Sequence, residues 1–202
     1  NIRFGGFIDG VFEFDPLFFG ISPREAMLMD PQQRLMMMHA WKALEDAGHA
    51  PRSLAGRPVG LFIGTSSSGY SDLVGDDPGA EGYAATGSVP SVGPNRISYI
   101  LDWHGPSEPV ETACSSALVA MHRAIQAMRA GDCEIAVAGG VNTIITPEAH
   151  INFAKAGMLS LDGACKAFSA AANGYVRGEG VGMLVLKRLS QAERDGDAIY
   201  AV

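Results

Sequence analysis

Short apolar runs alternate with helical stretches along most of the chain, and that alternation restricts the fold more than any other feature. Residues 59–63, 109–113, 134–139, 182–186 and 199–202 read as strands. Residues 95–101, 115–130 and 147–156 read as helices, the second with Ala117, Leu118, Met121, Ala124, Ile125 and Met128 at helical spacing. Apolar strands separated by helices build a sheet covered on both faces, an α/β fold. With 202 residues and 47% hydrophobic content, the chain can bury the core of one such domain.

Two helix starts carry capping chemistry. Ser22-Pro23-Arg24-Glu25 offers an N-cap serine, a proline at the first helical position and a glutamate placed to reciprocate; Asp30-Pro31-Gln32-Gln33 repeats the design. The second helix sets Met37, Trp41 and Leu44 on one face and stops near Gly48, with Met36 to Met38 as core filler. Residues 1–20 read as a loop docking Phe7, Phe12, Phe14 and Phe18 onto the core. Residues 69–93 read as a long surface excursion, and 157–178 as loop-rich.

Several function classes are excluded. A net charge of −7 and a pI near 5.1 argue against nucleic acid or an anionic membrane as partner. Cys114, Cys133 and Cys165 form no CxxC pair and no metal-ligand spacing; their odd number fits the reducing cytoplasm. Gly178 to Gly182 reads GEGVG, which misses the dinucleotide fingerprint, and the small-residue turn Gly64 to Gly69 has no Walker lysine. No cofactor-binding or metal-ligating residues are assigned.

Cys114 is the candidate nucleophile. It stands in Val110-Glu111-Thr112-Ala113-Cys114-Ser115-Ser116-Ala117-Leu118, where an extended run gives way to a helix. A thiolate there is expected to meet free backbone N–H groups and the positive end of the helix dipole. Burial among alanines is the competing reading. No histidine makes a convincing partner: His122 lies about 12 Å along the same helix, His104 reads as a surface residue, and His39, His49 and His150 have no catalytic context.

The chain resembles the N-terminal part of a β-ketoacyl synthase (ketosynthase) domain of a modular polyketide synthase. The matching stretches run in family order. They are Phe14 to Glu25, Met29 to Arg34, Thr112-Ala113-Cys114-Ser115-Ser116, Ala138 to Asn142, Gly157 to Ser160, and Gly174 to Gly180. The resemblance implies a thiolase-like fold. Residues 1–202 would be a partial ketosynthase domain, an incomplete N-terminal half. The first strand and the C-terminal half, with the family's two histidines and lysine, would lie outside it. That first strand is expected at the centre of the sheet, so the 202-residue polypeptide is expected to fold poorly or aggregate, and not to condense substrates.

By the same resemblance, Cys114 accepts an acyl chain, and its backbone N–H is one oxyanion donor. Substrates ride on the phosphopantetheine of an acyl carrier protein, with no cofactor bound directly. The intact domain performs a decarboxylative Claisen condensation with a malonyl-type unit, works as a homodimer and adjoins other synthase domains. Arg177 and Glu179 read as an internal ion pair, and Asn142 as satisfying backbone groups after Gly139-Gly140. Three positions depart from the family: Glu111 replaces an aspartate, Ala117 a serine and Ser169 an aspartate. Glu108 to Glu111 is similar to ketosynthases served by an acyltransferase in trans, some of which pass chains on without elongating them. The alternatives are a stand-alone fatty-acid condensing enzyme and a non-enzymatic carrier-docking module.

Overall fold

Ser22 starts the first helix as its sequence requires: its hydroxyl accepts a hydrogen bond from the Glu25 N–H at 3.1 Å, and Pro23 follows. Asp30 starts the second in the same way, accepting from the Gln32 N–H at 2.8 Å. The computed structural model describes residues 3–74 and 83–202. In chain order the elements are β1 (Gly5–Gly6), α1 (Pro23–Leu28), α2 (Pro31–Asp46), a 3-10 turn (Pro51–Leu54), β2 (Val59–Gly64) and α3 (Tyr70–Val74). Next come α4 (Ala84–Ser88), α5 (Val92–Leu101), β3 (Ser107–Val110), α6 (Ser116–Ala130) and β4 (Ile135–Asn142). The last are α7 (Glu148–Lys155), β5 (Arg177–Gly178), β6 (Gly180–Lys187) and α8 (Leu189–Asp195).

Four strands form one sheet in the order β3-β2-β4-β6, with β2 parallel to both neighbours and β6 antiparallel to β4. The alternation of side chains along β2 sorts the core. Val59, Leu61 and Ile63 pack with Met36, Met37, Leu44 and Ile97 from α2 and α5. Phe62 faces the other way, towards Ala120, Ala124 and Met128 of α6. Helices thus cover both faces, as the apolar strands predict. Cys133 belongs to the α6 side, and its burial pushes the thiol above its ordinary range, which makes it a packing residue.

The structure corrects several expectations. The sheet has no gap at its centre: β2 is hydrogen-bonded to β3 and β4 together, so a further strand has only the outer edges, β3 and β6, to join. β3 stops at Val110, because hydroxyl bonds draw residues 112–116 into a turn. Residues 199–202 form no strand; Tyr200 is tied instead by its hydroxyl to Asp46, at 3.1 Å. Phe7 and Phe12 are exposed, whereas Phe14 stacks on Phe19 and Phe18 meets Trp41 edge-on. Both expected reciprocal caps are diverted: Glu25 pairs with Arg96, and the Gln33 amide reaches the Thr86 and Val89 carbonyls. Residues 75–82 of the expected excursion lie outside the described residues, but its return docks on α2, where Asp30 N–H bonds the Gly87 carbonyl at 2.8 Å.

Candidate functional site

Cys114 is exposed in the elbow between β3 and α6, at the carboxyl end of the parallel strands, where open α/β sheets place their sites. Small hydroxyls brace the elbow. Ser115 Oγ donates to the Thr112 carbonyl at 2.8 Å, and Ser116 Oγ donates to the Ala113 carbonyl at 2.7 Å while accepting from the Thr112 N–H at 2.9 Å. Ala113 adopts φ 54, a left-handed conformation that turns the chain sharply just before the thiol. The competing reading, burial among alanines, is overturned, because the Cys114 thiol is exposed.

Two glycines seat the helix. A Cβ on Gly64 would lie 2.6 Å from the Ala117 nitrogen, and one on Gly140 2.8 Å from the Ala117 Cβ. The first turn of α6 therefore rests directly on the ends of β2 and β4. Ala117 fills that contact, so its departure from serine is accommodated by packing. The expected supply of free N–H groups is reduced, because Ser115 and Ser116 N–H bond back to Thr112 and Ala113 at 3.3 and 3.1 Å. The dipole of the 15-residue helix α6 remains as the favourable field at its start.

Tyr175 and Phe153 were not singled out by sequence. Burial raises the Tyr175 phenol above its ordinary range; the positive Arg177 lowers it and charge on Cys114 raises it, so all three share one electrostatic neighbourhood. Phe153 joins them, with its ring edge-on to Tyr175 at 6.2 Å and beneath the Arg177 guanidinium at 5.3 Å. The expected Arg177–Glu179 pair gives way to this arrangement. Glu179 instead accepts from the Ile8 and Ile144 N–H groups at 3.2 and 2.8 Å. Asn142 does what its position implies, donating its amide to the Gly178 carbonyl at 2.6 Å.

His104 is exposed and pairs with Asp102 at 3.0 Å, His122 is exposed along α6, and His39 is half-buried in α2, where desolvation and then Lys42 hold its pKa down. Among the described residues no group of His, Cys, Asp and Glu could hold a metal ion. A cleft of about 540 Å³ runs beside the far half of α6, lined by Phe62, Pro106, Glu108, Arg123, Ala127 and Asp132. It brings together an Arg123–Glu108 ion pair at 3.0 Å but no nucleophile, so size alone does not make it the reactive centre. No helix among the described residues is long and apolar enough to cross a membrane.

The profile of the family described as "Beta-ketoacyl synthase, N-terminal domain" matches residues 1–192. The chain is 59% identical over its whole length to polyketide synthase PksN of Bacillus subtilis (strain 168), covering 4% of that protein. It is 50% identical over 201 residues, 99% of the chain, to the pikromycin synthase component PikAII of Streptomyces venezuelae, covering 5% of it. Its fold superposes on the ketosynthase from module 6 of the Bacillus subtilis 168 bacillaene synthase with a TM-score of 0.89. That match has 44% identity and spans 97% of this chain and 34% of that one. The oxazolomycin ketosynthase domain OzmH KS7 of Streptomyces albus JA3453 gives the same score at 43% identity, over 96% of this chain and 35% of its own. The chain thus spans a small part of its curated relatives and about a third of the solved ketosynthases.

Proposed function

Because this chain belongs to the β-ketoacyl synthase family and has its thiolase-like α/β fold, we propose that Cys114 is the acyl acceptor of a polyketide-forming condensing enzyme. The family's members are condensing acyltransferases. The single observation that carries the assignment is an exposed thiol in a braced elbow at the start of α6.

In this reading the Cys114 thiolate attacks the thioester carbonyl of an acyl group carried on a phosphopantetheine arm. The carbonyl electrons move onto oxygen, where the Cys114 backbone N–H is one donor to the oxyanion. Collapse expels the phosphopantetheine thiolate, which takes up a proton, and leaves the acyl group on Cys114. In the condensing half-reaction a malonyl-type unit on carrier protein loses CO₂, and the carbanion equivalent attacks the Cys114 thioester. The new C–C bond forms as the Cys114 thiolate departs. Residues 1–202 supply the acyl-accepting half of that chemistry as a partial ketosynthase domain. The partners are acyl carrier protein, neighbouring synthase domains and a second copy of the intact domain, in the cytoplasm; the substrates bring the only prosthetic group.

The test is peptide mass spectrometry on the ketosynthase domain that carries this sequence, after exposure to an acyl-N-acetylcysteamine thioester. An acyl adduct on the Cys114 peptide, abolished by Cys114→Ala, is the expected result. Iodoacetamide labelling alone does not discriminate, since Cys165 is exposed as well; protection of Cys114 by prior acylation does. Acyl label on Cys165, or none on Cys114, would overturn the assignment.

A further inference from the structure

The first turn of α2 buries an unusual number of polar side chains. Asp30, Gln32, Gln33 and Arg34 are 8%, 2%, 3% and 7% exposed. Gln32 donates its amide to the Ser66 carbonyl at 2.6 Å, and Asp30 accepts from the Ser68 hydroxyl at 2.6 Å. Arg34 bonds the Met29 carbonyl and the Tyr70 hydroxyl, at 2.7 and 3.0 Å, and lies over the Tyr70 ring. Three side chains of one helical turn therefore grip one loop, Thr65–Gly69, and the tyrosine after it. An apolar residue would fill the Gln32 site without a desolvation cost. Its Oε1 finds no partner among the described residues, so what the amide adds is the bond to Ser66.

That loop borders the thiol's elbow. It leaves β2 at Gly64, against the first turn of α6. Thr65 N–H bonds the Val110 carbonyl at 3.1 Å, at the last residue before the elbow. At its other end Gly69 lies against Thr146: a Cβ there would come within 2.3 Å of the Thr146 hydroxyl. The loop thus spans from the end of β3 to the segment after β4, along one side of the site.

We propose that Asp30 and Gln32 are positioning residues for the site of Cys114, holding the Thr65–Gly69 loop as its fixed wall so that an acyl thioester is received in register. The inference rests on Cys114 being the acyl acceptor. Neither side chain touches the reacting atoms; both act through the loop.

The test compares Gln32→Met, Ser68→Ala and Gln33→Met in the ketosynthase domain that carries this chain. Gln33 is the control, since its amide goes to the carbonyls of Thr86 and Val89 and not to the loop. Acylation of Cys114 by acyl-N-acetylcysteamine is followed with donor concentration, alongside thermal unfolding and hydrogen exchange of the loop amides. Gln32→Met and Ser68→Ala are expected to raise KM for the donor about five-fold or more, with kcat within two-fold and faster exchange at residues 66–69. Gln33→Met is expected to lower the unfolding temperature with KM within two-fold. Wild-type KM in both loop variants, or an equal rise in Gln33→Met, would overturn the inference alone. Absence of wild-type acylation at Cys114 would overturn the parent assignment, and this inference with it. If Gln32→Met fails to fold, Ser68→Ala decides.

Discussion

Gly64 shows how a single missing side chain shapes the site. The obstacles to a Cβ there are the Ala117 nitrogen and the Ser116 carbonyl carbon, at 2.6 and 2.7 Å, and backbone cannot swing aside as a side-chain tip can. Gly64→Ala is therefore expected to push the first turn of α6 off the sheet. It should cost about 1–3 kcal/mol in urea unfolding of the domain, in the range of core overpacking, and slow acylation of Cys114 by more than that loss of stability explains. Equal acylation rates in wild type and Gly64→Ala would show that the elbow does not depend on this contact. Cys114 was legible in sequence because its neighbours carry the information: small hydroxyl residues on either side of a strand-to-helix change. Tyr175 and Phe153 were not. They come from a loop-rich stretch and from α7, with no periodicity to connect them to residue 114, and only the tertiary fold brings Tyr175 within electrostatic range of the thiol.

Among the elements, helix starts were the most legible, because a cap is a local interaction; Ser22 and Asp30 both act as read. Their reciprocal partners were not legible, since Arg96 and the Thr86 carbonyl are distant in sequence and compete for Glu25 and Gln33. Strand ends failed for a similar reason: the extended run reads on through Glu111, Thr112 and Ala113, but side-chain hydroxyls capture the backbone first. Two carboxylates give the elements opposite pH responses. Burial is the main influence on Asp30 and raises its pKa above 3.8 despite the Ser68 and Gln32 bonds. The folded state then holds that proton more tightly, so the Asp30 contribution is full below the unfolded pKa and is lost as pH rises through the folded one. Asp162, bonded by Lys166 and Ser160, is lowered from 3.8 to about 2. Its contribution is present above the unfolded value and is lost as pH falls towards about 2. Urea unfolding across pH should therefore show Asp162→Asn less stable than wild type at pH 7 and converging on it by about pH 2. Asp30→Asn, which keeps a capping oxygen, should compare best with wild type at neutral pH and fall behind as the pH drops towards 4. Parallel pH profiles for wild type and both variants would contradict these assignments.

At the scale of the whole molecule, the expectation of poor folding rested on a strand missing from the middle of the sheet, and the observed order β3-β2-β4-β6 removes that reason. The two core clusters meet across a continuous ladder, which is the condition for cooperative unfolding. Association is still expected, on a separate ground. Leu17, Leu118, Leu161 and Phe168 are each at least 70% exposed, and Phe168 combines full exposure with φ 63, a left-handed conformation that an aromatic residue adopts only at a cost. The edge strand β3 carries Pro109, which withholds one backbone donor, so side-chain patches are the stronger route to self-association. The 202-residue polypeptide by itself should thus unfold in one cooperative transition while its sedimentation-average mass rises with concentration. Leu161→Ser with Phe168→Ser should reduce that rise and leave the unfolding midpoint within a few degrees, since neither side chain is buried in the core. A broad, non-cooperative melt would show that the sheet, although unbroken, is not sufficient to hold the two clusters together.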